Sequence, residues 1–101
     1  MKKIIKDNKV AVLISPHFGG GWYTWNTEHK ELLFHPKLVK MVEDKKSSEI
    51  TEDWVEKELG IKNVFCGGAK NLTIEWIDKN TAFYIDDYDG YESIHFDILT
   101  V

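Results

Sequence analysis

The dipeptide Asp89-Gly90 constrains this chain more than any other pair of residues. A two-residue loop of this kind favours a primed turn, and such a turn folds its flanks into an antiparallel hairpin. The register then follows by counting. Tyr88 pairs with Tyr91, Ile85 with Ile94 and Phe83 with Phe96, while Tyr84 faces His95 on the other side. Two apolar pairs fall on one face, and a slip of one residue would scatter them.

The rest of the chain supplies partners for that hairpin. Val10-Ala11-Val12-Leu13-Ile14 is an unbroken run of strand-forming residues ended by Ser15-Pro16, which predicts a strand covered on both faces. A short strand over residues 3–6, turned back at Asp7-Asn8, is a weaker expectation. Glu31-Leu32-Leu33-Phe34 reads as a brief extended piece. Pro36 suits the first position of a helix, with His35 before it as a cap or a solvent-facing residue. Leu38, Val39, Met41 and Val42 form that helix's apolar stripe.

A second helix has fuller punctuation. Thr51 is its N-cap, Glu52 and Asp53 fill the first turn, and Gly60 closes it. Ile50 packs back on Val55 as a staple, and Asp53 and Lys57 are spaced to pair. Leu72, Ile74 and Trp76 alternate with Thr73 and Glu75 as a half-buried strand, joined to the hairpin as a meander. The expected fold is α+β: one domain over residues 1–101, a mostly antiparallel sheet with two helices packed on one face.

Composition narrows the function. The chain has 101 residues, 43% of them hydrophobic, which suits one packed core. The net charge is −4 and there is no arginine. Acidity and the absence of a bidentate clamp argue against a nucleic-acid partner or a highly phosphorylated ligand. Lys2, Lys3, Lys6 and Lys9 read as solubility charges. Nothing approaches the roughly 18 apolar residues of a membrane span, and Lys6-Asp7-Asn8-Lys9 interrupts any signal-peptide core. A cytoplasmic location is expected.

The candidate site is Ser15-Pro16-His17-Phe18-Gly19-Gly20-Gly21-Trp22-Tyr23-Thr24-Trp25-Asn26. Glycines allow a bent backbone and close approach, and the aromatics supply flat faces with polar tips. In this reading Trp22, Tyr23 and Trp25 stack on a planar ligand and His17 and Asn26 hydrogen-bond to it. The backbone of Gly20 and Gly21 meets an anionic group. A second glycine turn, Cys66-Gly67-Gly68-Ala69-Lys70-Asn71, adds Lys70 and Asn71 if the two turns meet. The competing reading makes the same aromatics the anchors of a protein interface. The glycines match neither a dinucleotide fingerprint nor a P-loop.

Other constellations carry less. His17, His29, His35 and His95 lack metal-ligand spacing, and Cys66 beside Phe65 reads as a small buried hydrophobe rather than a nucleophile. The run Asp86-Asp87-Tyr88-Asp89-Gly90-Tyr91-Glu92 fails as an EF-hand, because Ile85 would hold the first ligand position. Its carboxylates read as solubilising charges at a hairpin tip. No metal, cofactor or catalytic residue is assigned.

Residues 10–26, with Gly-Gly-Gly-Trp-Tyr-Thr-Trp-Asn, resemble a group of small uncharacterised proteins of phages and bacterial genomes. Leu33-Phe34-His35-Pro36 and Gly67-Gly68-Ala69 belong to the same pattern. The resemblance implies a setting only, in which a small phage protein acts against a host defence, for instance by sequestering a nucleotide signal. The leading expectation is therefore a non-enzymatic protein that binds a small, nucleotide-like molecule. The alternative is a protein–protein or homo-oligomeric module, and the third reading is a small enzyme built around His17. A homo-oligomer is expected, because four tryptophans are hard to bury in so small a domain.

Overall fold

Five strands and two α-helices, with short 3-10 turns between them, appear in the computed structural model, which describes residues 2–96. They are strands β1 (Ile5–Lys6) and β2 (Lys9–Ile14), helices α1 (Pro36–Glu43) and α2 (Glu52–Leu59), and strands β3 (Thr73–Asp78), β4 (Phe83–Tyr88) and β5 (Tyr91–Phe96). The fold is α+β, with all strand pairing antiparallel.

Local signals explain most of these boundaries. Asp7 and Asn8 both take positive φ, 52° and 65°, and turn β1 onto β2. His35 caps α1, its Nδ1 accepting from Lys37 N at 3.1 Å with Pro36 at the first helical position. Thr51 caps α2 by accepting from Trp54 N at 3.1 Å, and Gly60 ends it in the left-handed region at φ 73°. Ile50 and Val55 are buried together, as the staple requires. Asp89 and Gly90 turn β4 onto β5 with φ 51° and 87°, and all the expected hairpin pairs form.

Two expectations fail. Residues 31–34 are not extended: Lys30–Leu33 is a 3-10 turn, closed by Phe34 N donating to Glu31 O at 3.1 Å, with Leu32 and Leu33 buried in two different core clusters. Nor do the last three strands form a meander. β3 pairs with β2 through six residue pairs, from Lys9–Asp78 to Ile14–Thr73, while β4 and β5 form a separate two-stranded sheet. The physical reason lies in β2. Its residues from Val10 to Ile14 are buried, so both of its faces need cover.

That demand makes the molecule three layers deep. Ala11 and Leu13 face a core shared with Leu38 and Val39 of α1 and Val55 of α2. Val10 and Val12 face the opposite way, with Ile77, onto Leu33 and Phe34 and the inner side of the hairpin at Phe83, Ile85 and Ile94. The two helices thus occupy one face of the three-stranded sheet, and the hairpin covers the other.

Candidate functional site

The loop after β2 is held by a carboxylate from β5. Glu92 is fully buried. Its Oε1 accepts from Ser15 N at 2.8 Å. Its Oε2 accepts from Trp22 N at 2.8 Å, Thr24 N at 2.9 Å and Thr24 Oγ1 at 2.8 Å. Glu92 N in turn donates to Ser15 O at 3.0 Å. Four donors replace the water a buried carboxylate loses, and hydrogen bonds to a charged acceptor are about twice as strong as neutral ones. An anion does sit against this loop, but it is the chain's own. Its donors are Ser15, Trp22 and Thr24 rather than Gly20 and Gly21.

Three glycine segments converge beside this carboxylate. A Cβ on Gly90 would collide with the backbone of Gly20, and one on Gly68 would collide with the carbonyls of Gly20 and Gly21. Ser15 Oγ donates to Gly68 O at 2.8 Å. The two glycine turns therefore meet, with Gly68 and Gly20 in backbone-to-backbone contact, while Gly21 makes room for the side chains of Thr24 and Trp25 and Gly67 for the ring of Phe65.

The expected site residues part company. Trp22 is fully buried and its Nε1 donates to Leu32 O at 2.8 Å, so neither ring face is free to stack. Asn26 is buried as well. Its Nδ2 donates to Trp22 O at 2.8 Å and Phe65 O at 3.0 Å, and its Oδ1 accepts from Phe65 N at 2.8 Å. Its amide is committed to stitching two loops together. Gly20 and Gly21 are buried, Tyr23 is half-buried and His17 is exposed. Lys70 and Asn71 belong to a turn that packs on Ser47–Glu49, with Ser47 Oγ donating to Lys70 O at 3.2 Å. Among the described residues neither side chain bonds to the aromatic loop.

Trp25 alone of the expected aromatics presents a large exposed face. Its ring lies 4.9 Å from that of Phe65, and its Nε1 donates to Asp87 Oδ2 at 3.1 Å. Asp87 Oδ2 also accepts from Gly90 N at 3.3 Å, which ties Trp25 to the hairpin tip. On the outer face of that tip stand Phe18, Tyr88 and Tyr91. The Phe18 ring centre is 5.1 Å from Tyr91 and 6.3 Å from Tyr88. Gly19 N donates to Asp89 O at 2.9 Å and fixes Phe18 beside the turn. Phe18 is 60% exposed and Tyr88 78%.

The sequence assigns no site role to Phe18, Phe65, Tyr88, Tyr91 or Glu92. Glu92 was assigned to a solvated tip and is instead interior. The hairpin register held the signal: Asp87 and Glu92 pair on the face that carries Ile85 and Ile94.

A separate depression of about 590 Å³ lies elsewhere, between Tyr23, Lys30, Phe34 and Phe83, with Lys3 Nζ 4.2 Å above the Phe34 ring. Of the loop's expected ligand contacts only Tyr23 lines it.

Nucleophilic chemistry finds little support in the geometry. Burial, then the nearby Glu52 carboxylate, pushes the Cys66 thiol up to about 11, so it stays protonated at neutral pH. Ser93 Oγ lies 3.0 Å from His95 Nε2, on the exposed outer face of β5 where Tyr84 stacks on the imidazole. Among the described residues no carboxylate orients the other nitrogen of His95, as a triad would require, and no cluster of metal-ligating side chains forms. Among the described residues no helix is long and apolar enough to cross a membrane.

No protein-family model, curated protein or solved structure matches the chain.

Proposed function

We propose that the protein is a protein-interaction module that docks a partner through the aromatic rim of the β4–β5 hairpin tip. The observation that carries this reading is the exposure of Phe18, Tyr88 and Tyr91 on a backbone held rigid by buried Glu92. Exposed aromatics clustered in one place are what interfaces use as anchors. A fixed scaffold lowers the ordering cost of binding. Two copies docking rim to rim would set Asp86, Asp87 and Asp89 against their own images, so a different chain is the better partner. The resemblance to small phage proteins supplies a setting, with occupation of a host defence protein as the outcome.

Panning a displayed random-peptide library tests this reading. The wild-type protein enriches peptides, and a Phe18→Ser, Tyr88→Ser variant does not. Equal enrichment by the two, or none by either, removes the rim as a recognition surface.

A small-molecule role has one observation in its favour, the depression beside Tyr23 with Lys3 and Lys30 at its edge. Two ammonium groups and the aromatic rings of Tyr23, Phe34, Phe83 and Tyr84 suit a planar anion. Mass measured under native and denaturing conditions tests it: an added mass lost on denaturation, and lost also in Lys30→Glu, supports this site.

A further inference from the structure

We infer that the segment docked on the rim is basic, a lysine- or arginine-bearing stretch of another protein. This rests on the interaction reading above. The rim is built from two parts of the chain, residues 15–29 and 80–96. Their exposed carboxylates are Glu28, Asp86, Asp87 and Asp89, and they hold no lysine, although the chain has 13. The lysines all lie on other segments. The acidity therefore belongs to this surface and does not follow from the modest net charge of −4.

The placement of groups matches a long cationic side chain. Asp86 and Asp89 are exposed at the tip, among Phe18, Tyr88 and Tyr91. An aromatic face attracts an ammonium or guanidinium group and also covers the methylene stem behind it. The carboxylates then meet the charged head. An apolar segment would strip water from those carboxylates and give nothing back. An acidic segment or a nucleic-acid backbone meets like charge. Asp87 is already engaged by Trp25 Nε1 and Gly90 N, and Asp86 Oδ1 accepts from Asp87 N at 3.0 Å, so the second oxygen of Asp86 and the carboxylate of Asp89 take the ligand's charge.

Titrating the isotope-labelled full chain with three ten-residue peptides, alternating Lys–Ser, Glu–Ser and Leu–Ser, tests the inference by amide shifts. The expected result is that Lys–Ser alone moves the amides of Phe18, Tyr88, Asp89 and Tyr91. Phe18→Ala with Tyr88→Ala then weakens it at least tenfold, and so does Asp86→Asn with Asp89→Asn. Asparagine tolerates the positive φ at position 89, so that variant keeps its turn. Leu–Ser binding as well at the same amides overturns the basic partner and leaves the interaction surface standing. Lys–Ser binding equally to the Phe18, Tyr88 variant shows a merely ionic contact and overturns the inference. No shift with Lys–Ser overturns it too, while enrichment in the library experiment would still stand for the surface.

Discussion

Glu92 is the residue on which the loop depends. A carboxylate with four donors and no exposed surface cannot be replaced by a group of different charge or hydrogen-bond pattern. Glu92→Gln keeps the shape but turns an amide NH₂ toward one set of donors. We expect it to cost about 3 kcal/mol, from one lost charge-assisted acceptor and unpaired backbone N–H groups. Urea unfolding measures this as a lower midpoint with an unchanged slope. A loss under about 1 kcal/mol would mean that water reaches the loop donors and the carboxylate does not organise them. Trp22 and Asn26 teach a related point at the same scale. Both types suit a ligand site when read in isolation, yet their polar atoms are spent on Leu32 O, Trp22 O and Phe65.

At the scale of elements, the helices were the most legible part of the chain. Pro36, Thr51 and Gly60 act over a few residues, and each did so as its local chemistry dictates. The His35 cap adds a pH dependence. Its Nδ1 accepts from Lys37 N only while that nitrogen is unprotonated. Burial first, and the Lys37 charge second, hold its pKa below the ordinary 6.5. Between the folded value and 6.5 the unfolded chain binds more protons, so stability rises with pH across that window. The contribution is fully present above 6.5 and is lost as pH falls through the folded value. His35→Asn keeps a good N-cap without titrating. Thermal unfolding followed from pH 7.5 down to pH 5 is expected to show a smaller decline in that variant than in the wild type. Equal declines would place the titration elsewhere. The spacing of Asp53 and Lys57, by contrast, produced no ion pair; Lys37–Glu58 and Lys40–Asp44 form instead, at 3.6 and 3.3 Å. Exposed pairs contribute little, so spacing alone does not select among them.

The whole molecule is a stack in which the hairpin layer meets the rest through one apolar face, the hydrogen bonds of Glu92 and one glycine joint. Gly90 is that joint: it has φ 87°, and a side chain there would meet Gly20. We expect Gly90→Ala to loosen the hairpin layer before the central sheet. Amide exchange should speed more in β4 and β5 than in β2, which lies between two strands and under two covered faces. Uniform acceleration would instead show that the layers unfold as one unit.

What the sequence determined by itself was local or periodic. It set the α+β class, both helices with their caps, the buried central strand and every hairpin pair that was expected, because turn chemistry and alternation act between near neighbours. Only the tertiary structure decided that β3 pairs with β2, that the hairpin covers the second face of β2, and that Glu92 lies inside. Those outcomes follow from residues distant in the chain, such as Ile14 and Thr73 or Ser15 and Glu92, meeting in space. The register places Glu92 on the inner face, but whether a carboxylate is buried there depends on which donors arrive, and those come from Ser15, Trp22 and Thr24.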